Sequence, residues 1–268
     1  HMEVFEVGKG TPEIAVVGGI HGDEPCGVRA VERLLADDED VERPVKLIVA
    51  NEEALAAGER YVDTDLNRAF PGDPDGDTHE ERLAHRLQTE LTGCTTLAIH
   101  STQSYAEPFA VIDSMDEVTR GVCPHLPVDI VIQTDRFTEG RLIEHPHTLE
   151  VEAGEQGTDA AADNAYWLAR AFLAATGALP APATEGVVDA GGRDEIDVYR
   201  LLERIPKPPA AEYEVFARNF ERVQAGEAFA AADGERLVAD EDFYPVLLSA
   251  HGYEDQFGYV ADYAGSFA

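Results

Sequence analysis

The stretch Ile14-Ala15-Val16-Val17-Gly18-Gly19-Ile20-His21-Gly22-Asp23-Glu24-Pro25 decides the fold of this chain. Its first seven residues form a continuous apolar run, which predicts a buried strand. The segment from Pro25 to about Ala36 then repeats apolar residues at helical spacing. A buried strand, a polar turn and a helix in this order are typical of α/β proteins with parallel strands.

The same alternation continues as far as residue 175. Four further strands and two further helices are predicted by apolar runs and by helical periodicity: Val45–Ala50, Thr96–Ile99, Val128–Ile132 and Thr148–Ala153 as strands, and residues 80–92 and Ala160–Ala175 as helices. We therefore predict an α/β fold, with a largely parallel sheet that is flanked by helices.

The pattern changes near residue 178. The segment from Ala178 to Thr184 contains two prolines and predicts a linker. Beyond it, short apolar runs at 196–202, 213–216, 237–238 and 244–248 alternate with turn residues. The sequence thus predicts a first domain over residues 1–178 and a smaller, β-rich second domain over residues 185–268.

The charge of the chain is strongly acidic and evenly spread. Its 268 residues include 53 Asp and Glu against 20 Lys and Arg, which gives a formal net charge of −33. Only Lys9, Lys46 and Lys207 are lysines. Such a chain repels nucleic acid and anionic membranes. Because molar salt screens the self-repulsion of a very acidic protein, we expect a halophilic origin; the alternative is an ordinary acidic protein.

The 3 cysteines, Cys26, Cys94 and Cys123, fit no disulfide or zinc framework. An odd number of unpatterned cysteines is typical of a reducing compartment, where each is more often a small buried side chain than a nucleophile. The sequence also has no apolar run long enough to span a membrane and no leader pattern. We therefore expect a cytoplasmic location.

The first candidate site follows the first predicted strand, where His21 and Glu24 lie three residues apart. Ligands bind at the carboxyl ends of strands in open α/β sheets, and an imidazole with a carboxylate can ligate zinc. Taken alone, this pair is better explained by a surface turn. His100 follows another predicted strand, and two histidines with one glutamate form a known catalytic zinc set that leaves a position open for water.

The second candidate site is the polar loop Arg60-Tyr-Val-Asp-Thr-Asp-Leu-Asn67-Arg68-Ala-Phe70. Guanidinium groups suit the two-pronged recognition of a carboxylate. Surface ion pairs with some of the many acidic residues are the alternative explanation of these arginines.

Together these residues resemble the aspartoacylase and succinylglutamate desuccinylase family, a branch of the zinc carboxypeptidase-like fold. The resemblance rests on Gly-Gly-Ile-His21-Gly-Asp-Glu24, on the loop from Arg60 to Phe70, and on His100 after an apolar strand. The loop is its most specific part and is most similar to the aspartoacylase side of the family. Because members carry a C-terminal β domain, the resemblance extends over most of the chain.

The resemblance implies a role for each matching residue. His21, Glu24 and His100 match the ligands of one zinc ion. Arg60 matches the arginine that polarises the scissile carbonyl and stabilises the oxyanion. Asn67 and Arg68 match the pair that holds a substrate carboxylate.

The catalytic glutamate of the family has two candidates here, Glu150 and Glu152. Glu152 fits the family pattern of a glutamate followed two residues later by glycine, here Gly154. Glu150 fits the pattern Thr-Leu-Glu and the spacing from Pro146. Both side chains point to the same face of the predicted strand. We favour Glu152 and keep Glu150 as the alternative.

The family also holds a second substrate carboxylate, with an arginine before the glutamate and a tyrosine from the C-terminal domain. Arg141 and Tyr253 match these two substrate-binding positions, Arg141 only approximately in its spacing.

The resemblance implies hydrolysis of the amide bond of a small N-acyl amino acid. It makes residues 1–178 the zinc-hydrolase domain and residues 185–268 a domain that caps the active site. Two alternatives stay open: a zinc carboxypeptidase that acts on peptides, and a non-enzymatic module that binds a metal or a ligand. The oligomeric state is not predicted.

Overall fold

The computed structural model describes residues 1–180 and 195–267. Five α-helices in this part are α1 (Cys26–Asp37), α2 (Glu52–Ala57), α3 (His79–Glu90), α4 (Glu117–Val122) and α5 (Asp159–Ala175). Its strands are β1 (Glu3–Val7), β2 (Ile14–Gly18), β3 (Val45–Val49), β4 (Thr95–Thr102), β5 (Phe109–Ile112), β6 (Ile130–Gln133), β7 (Thr148–Glu155), β8 (Ile196–Pro206), β9 (Tyr213–Val215), β10 (Ala228–Ala232), β11 (Glu235–Val238), β12 (Tyr244–Val246) and β13 (Gln256–Phe267). Short 3-10 turns lie at Leu66–Arg68, Cys123–His125 and Leu142–Glu144.

Ten strands form one mixed sheet in the order β1-β3-β2-β4-β7-β5-β6-β8-β13-β12. The four neighbours β3, β2, β4 and β7 run parallel to one another. Strand β5, the next neighbour of β7 in the sheet, runs antiparallel to it. The carboxyl ends of β2, β4 and β7 therefore meet at one edge of the sheet.

Both faces of the sheet are covered by helices. One apolar core lies between the sheet and helices α1 and α5, and it includes Val31, Leu97 and Phe172. A second core lies between the opposite face and α3, and it includes Ile48 and Leu87. All five residues of β2 are buried, as expected of a central strand covered on both faces. The predicted mixed, largely parallel sheet flanked by helices is confirmed.

The predicted helices lie within two residues of their observed bounds. Helix α3 begins with a capping box, in which the Thr78 hydroxyl accepts from the Glu81 backbone N–H and the Glu81 carboxylate accepts from the Thr78 backbone N–H. This pair satisfies two backbone donors that a helix N-terminus otherwise leaves without partners.

The C-terminal region contributes to two sheets. Strands β8, β13 and β12 extend the large sheet beyond β6, while β11, β10 and β9 form a separate antiparallel sheet. The β-rich character predicted for this region is therefore observed. The predicted boundary at residues 178–185 falls largely on residues 181–194, which lie outside the described residues, and the division into two domains stays a prediction.

The structure tests the predictions about a membrane span and about the cellular compartment only in part. Across residues 1–180 and 195–267, no helix combines the length and the hydropathy needed to cross a bilayer. All three cysteines are free and buried. A reducing, cytoplasmic setting stays a prediction.

Candidate active site

Two histidines and one glutamate meet at the edge of the sheet where β2 and β4 end. Candidate ligand atoms of His21, Glu24 and His100 all lie within 4.8 Å of one another. His21 and Glu24 belong to the turn between β2 and α1, and His100 lies near the end of β4. All three side chains are buried. The sequence pattern thus brings together the three residues predicted as metal ligands.

Glu24 is the centre of this cluster. Its Oε1 lies 2.8 Å from His21 Nδ1, and its Oε2 lies 3.1 Å from His100 Nδ1. Atoms that share a zinc ion lie about 3–4 Å apart, so these three residues are spaced as ligands of one ion. Burial opposes ionisation of Glu24, yet the neighbouring His21 and His100 hold the pKa of its carboxyl well below the usual range.

The Glu24 carboxylate also shifts the pKa of His21. Although burial alone would lower it, the Glu24 carboxylate and the acceptor Asp65 raise the pKa of His21 to about 9. A bound cation would displace that proton, because metal ligands must be deprotonated. Two imidazoles and a carboxylate are also the donor set of a catalytic zinc site. The residues present therefore fit a zinc ion.

Asp65 completes the surroundings of His21, and sequence reasoning missed its role. His21 Nε2 lies 3.0 Å from Asp65 Oδ1, on the opposite side of the ring from Glu24. A carboxylate at the second nitrogen of a metal-binding histidine fixes the ring orientation and makes the ligand more basic. Asp65 lies in the polar loop quoted above, but its spacing from His21 carries no periodic signal.

Glycine makes the approach of the polar loop to Glu24 possible. A Cβ on Gly22 would lie 2.1 Å from the backbone of Ala54, so only glycine lets the turn pack against residues 54–60. The Gly22 N–H donates to the Arg60 carbonyl at 3.1 Å. This contact places Arg60 beside Glu24.

The buried Glu80 holds the same loop from the other side. Its carboxylate accepts from the backbone N–H groups of Val62, Asp63 and Thr64 at 2.7–3.1 Å. It also accepts from the Asn51 amide. Glu80 therefore positions the loop that carries Arg60, Asp65 and Asn67.

Arg60 lies at the metal-ligand cluster. Its Nη1 donates to Glu24 Oε1 at 2.9 Å and its Nε donates to Asp65 Oδ2 at 3.3 Å. The side chain is one-third exposed and lines the pocket. Its predicted action on a scissile carbonyl stays a prediction, and its position beside the cluster is compatible with it.

Asn67 and Arg68 both line the pocket, but they are engaged differently. Asn67 Nδ2 donates to Glu150 Oε1 at 3.1 Å, and its Oδ1 accepts from the Leu142 N–H at 2.8 Å. Arg68 Nη1 donates to the Asn67 carbonyl at 2.6 Å. Among the described residues Arg68 has no carboxylate partner. Their joint role in holding a substrate carboxylate stays a prediction.

Glu152 lines the pocket. It lies on β7 opposite His100 of β4, and its Oε2 is buried with no hydrogen bond among the described residues. Burial, with the nearby Glu24 and Glu150 carboxylates, raises the pKa of Glu152 to about 7 against the opposing effect of His100. A carboxyl that titrates near neutral pH is suited to accept and return a proton.

Glu150, two residues earlier on β7, is fully engaged. Its Oε2 accepts a short contact from Arg141 Nη2 and its Oε1 accepts from Asn67. Despite burial, Arg141 holds the pKa of Glu150 below its usual range. Both partners are nearly inaccessible to solvent, with side chains 12% and 2% exposed. Arg141 is thus part of the site, but its guanidinium already has a counter-charge.

Residues of the C-terminal region close one side of the pocket, which has a volume of about 490 Å³. Tyr253 is among them, with its backbone carbonyl held by the Lys207 ammonium. Burial raises the pKa of Tyr253 well above its usual value, so its hydroxyl stays protonated. The predicted substrate-binding role of Tyr253 stays a prediction.

Comparison with known families agrees with this geometry. Residues 10–123 match the model of the succinylglutamate desuccinylase/aspartoacylase catalytic domain. This segment contains the three ligand candidates and the polar loop. This segment of the chain is therefore similar to the aspartoacylase and succinylglutamate desuccinylase family, and the resemblance predicted from the sequence motifs is confirmed.

Two relatives match different shares of the chain. An N-acyl-aromatic-L-amino acid amidohydrolase of Mus musculus is 25% identical over 91% of this chain and 87% of its own length. An N-alpha-acetyl-L-2,4-diaminobutyric acid deacetylase of Halomonas elongata is 40% identical over 30% of this chain and 25% of its own.

A solved structure shows the same fold. The ectoine utilization protein EutE (DoeB) of Ruegeria pomeroyi superposes with a TM-score of 0.75 at 20% identity, over 99% of this chain and 88% of that one. At this identity the likeness supports the fold alone.

Proposed function

We propose that this protein is a zinc-dependent amidohydrolase that cleaves the amide bond of N-acyl amino acids. The observation that carries the proposal is the meeting of His21, Glu24 and His100 beside the unpartnered carboxyl of Glu152. The relatives named above are amidohydrolases and deacylases of N-acyl amino acids, which supports the same reaction class.

Zinc would be held by His21, Glu24 and His100, one ion per chain, with Asp65 orienting His21. A zinc ion in such a site supplies Lewis-acid chemistry, which polarises a carbonyl and lowers the pKa of a water. We propose zinc because of the donor set, and the ion itself is part of the proposal.

Glu152 is proposed as the general base and acid. Its carboxylate accepts a proton from the water that attacks the amide carbon, and it returns that proton to the nitrogen of the leaving amine. The C–N bond breaks as the amine leaves, and the products are one carboxylic acid and one free amino acid. A residue of this kind contributes about 10²–10⁴-fold to the rate.

Arg60 and Arg68 are proposed to act on the substrate. Arg60 lies beside Glu24, where a guanidinium can stabilise the negative charge that develops on the former carbonyl oxygen. Arg68 is proposed to bind the substrate α-carboxylate, because it lines the pocket and is not paired with a protein carboxylate. Tyr253 is proposed to contact the substrate from the C-terminal side.

The size of the pocket supports a small substrate. A volume of about 490 Å³, closed on one side by residues 247–254, suits an acyl amino acid better than a long peptide.

The test is a substrate panel. Zinc-loaded protein would be incubated with N-acetyl and N-succinyl forms of aromatic, acidic, amide and diamino amino acids, and free amine would be quantified. We expect release of one amino acid for each amide cleaved. Stoichiometric zinc binding without cleavage of any member would contradict the proposal and favour a peptide substrate or a binding role.

We also propose that the protein works in a cytoplasm of high salt. The net charge of −33 and the scarcity of lysine support this. Raising ionic strength from about 0.1 M to about 1 M shortens the screening length from about 10 Å to about 3 Å, which weakens self-repulsion. We expect the midpoint of thermal unfolding to rise over this range in KCl; a fall would contradict the proposal.

A further inference from the structure

The side of the pocket lined by Arg141 contains a buried ion pair. This pair affects which amino acids the pocket can accept. Arg141 would by itself attract an anionic group of a substrate. Its guanidinium is instead in short contact with Glu150, whose second oxygen is held by Asn67 at 3.1 Å. The positive charge of Arg141 is therefore already neutralised by the protein.

Glu150 is not placed to move aside for a substrate. It lies within β7, paired with Ala98 of the neighbouring strand, and its side chain is 2% exposed. A second carboxylate at Arg141 would lie next to the carboxylate of Glu150 in a buried site, where like charges repel strongly. Glu152 adds a further carboxyl group to the same pocket.

The other cations of the pocket differ in whether they already have a carboxylate partner. Arg60 is paired with Glu24 and Asp65. The Lys207 ammonium and the Arg68 guanidinium each donate to a backbone carbonyl, and in the described part of the chain neither has an ion pair with a carboxylate. In the described part of the chain, Arg68 is the one lining arginine without an ion pair to a carboxylate. Arg68 is therefore the guanidinium of the pocket that can receive the substrate α-carboxylate, whereas Arg141 already has a carboxylate partner.

Arg141 keeps one donor that is compatible with an uncharged group. Its Nε is buried and has no hydrogen-bond partner among the described residues. With the charge balanced by Glu150, such a donor suits the neutral oxygen of an amide or a hydroxyl better than another anion.

We infer that this pocket prefers N-acyl amino acids whose side chain is uncharged, and that Glu150 is the residue that keeps a second carboxylate away from Arg141. The inference rests on the proposed amidohydrolase function and narrows its substrate class. It assigns Glu150 a role in specificity, through Arg141, in place of a role in proton transfer.

Two pairs of substrates with matched shape test the inference. The kcat/KM of the zinc-loaded protein would be measured for N-acetyl-L-asparagine against N-acetyl-L-aspartate, and for N-acetyl-L-glutamine against N-acetyl-L-glutamate. We expect the uncharged member of each pair to be favoured at least tenfold. Preference for the aspartate and glutamate derivatives would overturn the inference while leaving the proposed function intact.

The variant Glu150→Gln tests the residue itself. It removes the counter-charge of Arg141 while keeping the size of the side chain, so the preference for the uncharged substrates should fall at least tenfold. In Glu150→Gln/Arg141→Gln the gain towards the aspartate derivative should disappear. Glu254→Gln, at an exposed carboxylate of the same pocket, is the matched control and should change the ratio less than threefold. An equal shift in this control would overturn the role of Glu150.

Binding to Glu152→Gln separates the two proposals, because it needs no turnover. Calorimetric titration with the same four compounds should give tighter binding of the uncharged member of each pair. If this order is found but the wild-type protein cleaves no amide, the proposed function fails and the specificity stands. Tighter binding of the dicarboxylates, or no binding of any of the four, would overturn the specificity.

Discussion

Two glutamates on one face of β7 have opposite surroundings. Glu150 is held by Arg141 and Asn67, and its pKa lies below the usual range. Glu152, two residues further on, has an unpartnered buried oxygen and a pKa raised to about 7. Both are buried in the same pocket, so burial alone does not separate them.

The difference comes from residues far away in the sequence. Arg141 reaches Glu150 from the segment before β7, and Asn67 reaches it from the polar loop. Glu152 faces the metal-ligand cluster, whose Glu24 repels a second charge. A carboxylate with fixed partners supports structure and charge balance, whereas one without partners is free to exchange a proton. Changes at the metal ligands and Glu152 should therefore have different effects from changes at Glu150 and Arg141.

The largest effect should come from metal removal, which acts on the metal-ligand cluster beside Glu152 and not on the pair of Glu150 and Arg141. Treatment with a chelator should reduce hydrolysis at least about a thousandfold, because the Lewis-acid contribution amounts to several kcal/mol. Added zinc should restore the rate, and added magnesium should not, because histidine ligands suit zinc and not magnesium. Hydrolysis at the full rate by demonstrably metal-free protein would remove the basis of the site.

At the buried pair of Glu150 and Arg141, the expected effect is on the stability of the folded protein. Glu150→Gln leaves the guanidinium of Arg141 buried without a counter-charge, which should lower the free energy of unfolding by about 3–5 kcal/mol. Denaturant titration in the presence of zinc measures this change. Glu150→Gln/Arg141→Gln leaves neither charge and should recover most of the loss. A single variant as stable as the wild type would show that the pair is not a fixed element of the structure.

A smaller effect is expected at Asp65, which contacts the candidate metal ligand His21. Asp65→Asn removes the charged acceptor at His21 Nε2 and should weaken zinc binding about 10–100-fold. Competition with a metal indicator measures this affinity. The control is Asp63→Asn in the same loop, since the Asp63 carboxylate accepts from the His79 N–H and not from a metal ligand. Equal losses in the two variants would argue against the role of Asp65.

The smallest effect should come from a third glutamate, which lies outside the pocket. Glu81 is held in the capping box of α3, and its hydrogen bonds to Thr78 lower its pKa. A lowered pKa gives stability that is present above the unfolded value of 4.5 and is lost as the pH falls through the folded value.

The midpoint of thermal unfolding of Glu81→Gln should therefore lie slightly below that of the wild type at pH 7. The difference should vanish at low pH, once the wild-type carboxyl is protonated. A difference that grows as the pH falls would contradict this sign.

Much of the fold could be predicted where the sequence carries a periodic apolar signal. The runs of β2, β3, β4 and β7 and the helical spacing of α1, α3 and α5 identified these elements close to their observed bounds. Strand β13 was not predicted. It is interrupted by Gly258 and Gly265, and its register with β8 contains three irregularities. Which strands pair is decided by long-range packing, so the extension of the sheet by β8 and β13 carried no local signal.

The metal-ligand cluster could be predicted because parallel strands bring their carboxyl ends to one edge. His21 and Glu24 follow such a strand, His100 lies near the end of another, and in the structure their candidate ligand atoms lie within 4.8 Å of one another. Asp65 and the pairing of Arg141 with Glu150 could not be predicted in the same way. A loop conformation and a side-chain pairing across nine residues depend on the folded chain and not on spacing.

The most direct test of the different roles of the two glutamates is the turnover of Glu152→Gln and Glu150→Gln on one N-acyl amino acid that the wild type cleaves. Both proteins would be zinc-loaded and checked for folding by circular dichroism. We predict that Glu152→Gln loses about 10²–10⁴-fold in kcat and still binds the substrate. Glu150→Gln should turn over at least tenfold faster than Glu152→Gln. An active Glu152→Gln beside a folded but inactive Glu150→Gln would contradict the account and make Glu150 the base.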